Sequence, residues 1–188
     1  MFIQTEATPN PATLKFLPGK VVMESGTADF RNADEADVSP LAARLFEIPG
    51  VTGVYFGYDF ITVSKEKQEW QHLKPAILGS IMEHFMSGKP VMGSTSVLSE
   101  VQDAGGEFFD EGDEAIVLTI KELLETRVRP AVAQDGGDIT FRGFRDGKVY
   151  LNMKGSCAGC PSSTATLKHG VQNLLRHFVP EVQEVEAV

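Results

Sequence analysis

Cysteine is nearly absent from this 188-residue chain: Cys157 and Cys160 are the whole supply, and they stand three positions apart. Two thiols cannot build the disulfide framework that staples small secreted folds. Long apolar runs are absent as well; none approaches the ~20 residues of a membrane-spanning helix, so no membrane partner is expected. Basic residues are scarce, 17 Lys and Arg against 26 Asp and Glu, for a net charge of −9 and a pI near 4.9. That balance argues against a nucleic-acid partner held by phosphate neutralisation. The opening "MFIQTEATPNPATLKF" lacks both the basic and the apolar region of an export signal, and the Arg/Ser-rich pattern of a transit peptide. The expectation is a cytoplasmic, bacterial protein, with a processed organelle form as the alternative.

The acid is unevenly placed. Residues 90–114 hold seven acidic residues and no basic one, among glycines and serines. Such a stretch buries too little apolar surface to offset chain entropy, which predicts a flexible acidic linker over 89–114. The alternative is an extended loop anchored on one domain through Val97, Leu98, Phe108 and Phe109. The fold class expected is α+β, with two small domains, 1–88 and 115–188, on either side of the linker.

In the first domain, 2–7 and 13–17 read as short strands around an Asn-Pro turn. Ser39 as N-cap, Pro40 in the first turn and Pro49-Gly50 as stop bound a helix over 39–48. A hairpin follows, 51–56 and 60–65. Trp70, Leu73, Ile77, Ile81 and Phe85 then form a helical stripe that Pro75 either kinks or restarts. His72 and His84 have no partner at a telling spacing and read as surface or helix-face residues.

The second domain reads α-β-β-α-β: a three-stranded sheet covered by two helices. Ile116, Ile120, Leu123, Leu124 and Val128 mark an amphipathic helix that can run past Pro130 to Gly136-Gly137. Strands near 138–145 and 148–154 flank Asp146-Gly147, a type I′ turn signal, with Val149, Leu151 and Met153 on one face. Pro161 opens a helix carrying Leu167, Val171, Leu174, Leu175 and Phe178 inward; Pro180 stops it, and a short edge strand ends the chain.

This places the thiols in "KGSCAGCPSS", a loop leaving a strand and entering a helix. Two cysteines dropped at random would fall three apart in roughly 1% of cases, so the spacing asks for a cause. Gly155 and Gly159 allow tight turning and close approach to a ligand. Pro161 loses nothing by lacking an N–H in the first turn, and the free N–H groups of Ser162, Ser163 and Thr164 would favour a thiolate at Cys160. Ser156 completes the loop, and Lys154 adds a cation if it turns inward. These features suit metal binding and redox chemistry alike.

Counting donors separates them further. A zinc ion or an iron–sulfur cluster takes four ligands, and one chain offers two thiols. His169 and His177 lie about 12 Å apart along one helix, too far to complete a zinc site with Cys157 and Cys160. Two chains meeting at their CxxC loops would supply four cysteinates, enough for a [4Fe–4S] or [2Fe–2S] cluster on a two-fold axis. A thioredoxin-like CxxC needs a βαβ unit before the motif and a hairpin after its helix, which is not the order here. Cluster binding therefore ranks first, a thiol–disulfide oxidoreductase using Cys157 and Cys160 second, and a pair of buried structural cysteines third, because the loop carries little bulk to bury them.

"VRPAVAQDGGDITF" followed by "VYLNMKGSCAGCPSSTATLKHGV" resembles the C-terminal domain of the NifU-like (Nfu) iron–sulfur proteins. "FIQTEATPNPATLKFLPG" with "YFGYDFITVSK" resembles the N-terminal domain of the same family. The resemblance implies a carrier or late scaffold, not an enzyme, that holds a labile cluster, usually [4Fe–4S], between two protomers. Cys157 and Cys160 match the family's cluster ligands. It further implies an upstream cluster donor, apo iron–sulfur client proteins, a homodimer when loaded and a monomer when apo.

Overall fold

Alternation along three strands lays out the first half of the molecule. In the computed structural model residues 1–93, 106–158 and 161–188 are described, the side chains of 161–163 excepted, and the chain divides into two compact units, Met1–Gln102 and Asp103–Val188.

The first unit contains β1 (Gln4–Ala7), β2 (Thr13–Leu17), β3 (Ala28–Phe30), α1 (Ala33–Ala36), α2 (Pro40–Phe46), β4 (Val51–Phe56), β5 (Ile61–Lys65) and α3 (Trp70–Met86). The strands form an antiparallel sheet in the order β1-β2-β5-β4-β3. Leu14, Phe16, Val54, Phe56, Ile61 and Val63 point to one face, where they share a core with Leu41, Leu45, Leu73, Ile77 and Ile81 of the helices. Each fully buried side chain of this size stabilises the unit by roughly 1.5–3 kcal/mol before entropy is counted. Ser39 caps α2 as expected, accepting from the Ala42 N–H at 3.1 Å.

Three readings change in this unit. β3 and α1 carry too few residues for periodicity to announce them. α3 runs through Pro75 as one helix: only the bond to the Gln71 carbonyl is forfeited, near the helix start, and burial of Leu73, Ile77 and Ile81 outweighs it. His84, expected as a surface or helix-face residue, lies on the buried face of α3 at 1% exposure, with the backbone of Lys89 and Pro90 beside it.

The second unit contains α4 (Glu114–Leu123), a π-type turn over Leu124–Val128, α5 (Arg129–Gln134), β6 (Gly137–Arg145), β7 (Lys148–Gly155), α6 (Pro161–Phe178) and β8 (Glu184–Ala187). The sheet order is β6-β7-β8, with β8 parallel to β7 through the α6 crossover. The α-β-β-α-β order and the three-stranded sheet are as the sequence predicts. The wide turn just before Pro130 lets the helical path pass the ring that would otherwise strike a carbonyl one turn back. Asp146 and Gly147 take φ of 52° and 75°, the left-handed pair that a type I′ turn needs. Val149, Leu151 and Met153 are buried with Ile120, Leu124, Val132, Val171 and Leu175. Phe178, predicted inward, is 45% exposed, with the Arg127 guanidinium 5.0 Å from its ring centroid.

The linker is shorter than composition predicts. Val91 and Met92 pack on the first core, and Ser39 Oγ donates to the Val91 carbonyl at 2.6 Å. At the other end Phe108 joins the β6 edge: its N–H donates to the Arg142 carbonyl at 3.3 Å, and the Phe144 N–H donates to its carbonyl at 2.8 Å. Its ring lies over Gly143, 5.1 Å from the Tyr150 ring centroid. A few aromatic and aliphatic residues suffice to anchor a stretch that is polar on average. The middle of the linker, 94–105, including Val97 and Leu98, lies outside the described residues.

Candidate functional site

β7 ends at Gly155, whose φ of +65° turns the chain away from the sheet. Ser156 and Cys157 follow in a tight turn closed by the Ala158 N–H donating to the Gly155 carbonyl at 3.1 Å, and α6 begins at residue 161. The loop thus joins a strand to a helix, as its sequence predicts. Cys160 and Gly159 lie outside the described residues, and Pro161 and Ser162 are described as the backbone of the first turn of α6.

The floor under the loop comes from elsewhere in the chain. After α5, Asp135 and Gly136 (φ +79°) reverse the chain into β6, where Gly137 pairs with Gly155 and Asp138 with Lys154. Ser156 donates its N–H to the Gly136 carbonyl at 3.3 Å and its hydroxyl to the Asp135 carbonyl. A Cβ built on Gly137 would stand 2.6 Å from Cys157 Sγ, 2.8 Å from the Lys154 carbonyl oxygen and 3.1 Å from the Cys157 nitrogen. Cys157 therefore packs directly on a bare Cα. Thr164, in the first turn of α6, donates its hydroxyl to the Cys157 carbonyl at 3.0 Å.

Asp138 holds the floor in place. It is 3% exposed and gripped by Arg129 through two bonds, Nε to Oδ1 at 2.8 Å and Nη2 to Oδ2 at 2.9 Å. Its Oδ1 also accepts from the Ile139 N–H at 2.8 Å, and Arg129 reaches Glu125 one turn back. A buried carboxylate needs this complete set of partners. The hydrogen bonds to Asp138 push the Arg129 pKa upward, keeping the guanidinium charged.

One reading of the loop is corrected here, while the thiolate expected at Cys160 lies outside the described residues. Cys157 is a buried free thiol, 6% exposed, and belongs to the second core. The bulk that buries it is not in the loop but in Gly137 and the core behind it. Nor is it set up as a thiolate: burial pushes its pKa up to about 11, with the charges of Asp135 and Asp138 adding and the Ser156 hydrogen bond opposing. His169 and His177 are exposed on α6, and no group of three or more His, Cys, Asp or Glu that could hold a metal occurs among the described residues.

Arg129, Asp135, Gly137 and Asp138 are the site residues that sequence reasoning misses. Gly136-Gly137 reads as a helix stop, and so it is, but that explains one glycine. The signal for the rest is an aspartate entering a strand, where carboxylates are disfavoured without a partner.

Residues 3–88 match the family model "Scaffold protein Nfu/NifU N terminal", and residues 120–186 match "NifU-like domain". The human "NFU1 iron-sulfur cluster scaffold homolog, mitochondrial" is 51% identical over 190 residues, covering 100% of this chain and 72% of that protein. The Drosophila sechellia protein of the same name is also 51% identical, with 100% of this chain and 65% of its own length covered. A solution NMR structure of a NifU-like protein from Saccharomyces cerevisiae shares 30% identity at a TM-score of 0.46, covering 50% of this chain and 86% of that one.

These relatives overturn the expectation of a bacterial cytoplasmic protein, since they are named as mitochondrial. The reason is physical: a targeting signal is a separate segment, and the composition of a folded domain's first strand says nothing of the compartment. Matches to both domain models in order, with half the residues identical over the full chain, place this chain in the Nfu/NifU scaffold family.

Proposed function

We propose that this chain is an iron–sulfur cluster carrier, a late scaffold that holds a [4Fe–4S] cluster between the CxxC loops of two protomers and passes it to apo-proteins. The observation that carries this reading is the position of Cys157, at a strand-to-helix junction on a built floor, in a chain whose family relatives are named iron–sulfur scaffolds. Cys157 and Cys160 are the ligands in this reading, two per protomer and four per cluster. Each thiol gives up a proton as it binds iron. Client thiolates then replace Cys157 and Cys160 one at a time, the loops separate, and the dimer held by the cluster falls apart. Ligand exchange of this kind needs no general acid or base, so the protein is a carrier and not an enzyme. Donor and clients meet it in the compartment its relatives are named for, the mitochondrion.

The thiol–disulfide reading loses ground at Cys157. An attacking cysteine works as an exposed thiolate, and a buried thiol with a pKa near 11 is a poor one. The test is anaerobic reconstitution with iron and sulfide, followed by absorption and native mass, beside Cys157→Ser and Cys160→Ser. One [4Fe–4S] per two chains, absent from both variants and lost to an apo-client that gains activity, is the expected result. A chain that takes up no cluster but cycles a Cys157–Cys160 disulfide at an oxidoreductase potential would reject it.

A further inference from the structure

The backbone at Gly137 lies outside the left-handed region, unlike its neighbour Gly136 at φ +79°. Conformation therefore does not require glycine at 137; space does. The missing Cβ would stand 2.6 Å from Cys157 Sγ, closer than side-chain carbons ever come to such an atom. The surroundings leave no slack to absorb one. On one flank Asp138 is fixed by Arg129 at 2.8 and 2.9 Å, and on the other Ser156 is bonded to both Asp135 and Gly136. The added carbon would also meet two backbone atoms, the Lys154 carbonyl oxygen at 2.8 Å and the Cys157 nitrogen at 3.1 Å, and of the three contacts only the Cys157 side chain can rotate away. At 6% exposure the Cys157 residue offers little surface to an iron atom, which must approach to about 2.3 Å of a thiolate.

We infer that Gly137 is a positioning residue of the cluster site: its bare Cα is a seat that stows the Cys157 thiol, and Cys157 must leave that seat before it ligates iron. This rests on the cluster-carrier reading above. In the stowed state Cys157 is withheld from oxidants, alkylating agents and stray metal; in the presented state it faces the partner protomer. The observed reactivity of Cys157 is then its intrinsic reactivity scaled by the fraction presented. A side chain at 137 removes the seat and shifts the balance toward presentation.

The experiment is timed alkylation of the full-length apo chain by iodoacetamide at one pH, with peptide mass spectrometry reporting Cys157 and Cys160 separately. In the wild type, Cys157 should react at least about tenfold more slowly than in the urea-unfolded chain, as expected for a thiol presented a minor fraction of the time. Gly137→Ala should speed Cys157 severalfold and leave Cys160 unchanged, while raising the initial rate of cluster loading from iron and sulfide. A wild-type Cys157 as reactive as the unfolded thiol would overturn the inference, as would a folded Gly137→Ala chain with unaltered alkylation and loading. Should Gly137→Ala fail to fold, the same substitution is made in Cys157→Ala, where the sulfur is gone. A partial recovery of stability there supports the seat, the contact with the Lys154 carbonyl being common to both backgrounds, and an equal loss in both rejects it. Alkylation is read without a cluster, so the two ideas separate: a wild type that never loads a cluster sinks the carrier reading alone, whereas one that loads normally with no effect of Gly137→Ala sinks the seat alone.

Discussion

Each unit covers one face of a small sheet with helices, and each buries one titratable side chain in its neutral form. In the first unit this is His84, in the last turn of α3, with its Nε2 lacking a hydrogen-bond partner among the described residues. Burial pushes its pKa below 6.5, the charges of Arg44 and Lys89 add to this, and the backbone at Pro90 and Lys89 pulls the other way. In the second unit it is Cys157, pushed the opposite way in pKa by the same cause. The histidine sits inside a long helix, with the backbone of Lys89 and Pro90 beside it. The cysteine sits in a loop, packed on the bare Cα of Gly137. If the proposed seat holds, burial is fixed at the first site and reversible at the second, and this difference separates a structural residue from a stored one.

The largest effect should come from Arg129→Met, which leaves the buried Asp138 carboxylate unpaired. Removing one partner of a buried pair costs about 3–5 kcal/mol. Scanning calorimetry should show the second unit melting earlier and the first unchanged; two transitions that shift together would dissolve the distinction between the units.

Next come the two pH limbs. For Cys157 the folded value, about 11, lies above the ordinary 9.0, so its contribution is complete below pH 9 and is lost as pH rises towards 11. At 1.36 kcal/mol per unit, two units are about 3 kcal/mol, and Cys157→Ala should flatten this limb. For His84 the folded value lies below 6.5, so the unfolded chain takes up a proton first and stability falls as pH drops below 6.5. His84→Leu should flatten the acid limb of the first unit and leave the second unit alone. Acid and base weakening the same unit would contradict the comparison.

The smallest effect sharpens it. Ser39→Ala removes the α2 cap and the bond that ties Val91 to the first unit. It should cost about 1–2 kcal/mol, measured by urea unfolding, with residues 91–93 losing amide protection first. Unchanged protection there would mean that apolar packing of Val91 and Met92 alone holds the linker root.

Local signals were legible wherever neighbours in sequence supply the physics. Ser39-Pro40 starts a helix, Asp146-Gly147 turns a hairpin, and alternation puts Val149, Leu151 and Met153 on one face. The strand–loop–helix setting of the CxxC could be read for the same reason. What failed depended on distant partners. Nothing near Phe108 in sequence says that its ring will lie on Gly143, and nothing near His84 says that the backbone at Lys89 and Pro90 will come beside it. Cys157 is the sharpest case. Its own loop carries little bulk and promises exposure, yet Cys157 is buried against a glycine twenty positions earlier.

By itself, then, the sequence determined the element types of the second unit, the two-part organisation and the placing of the thiol pair between a strand and a helix. Those follow from periodicity, turn chemistry and composition, all of which act over a few residues. Tertiary structure decided the state of the thiol. Burial, the Asp138–Arg129 pair and the bare Cα of Gly137 exist only once β6 and β7 have paired, and a pKa or a steric seat is a property of whatever folding brings within a few ångströms.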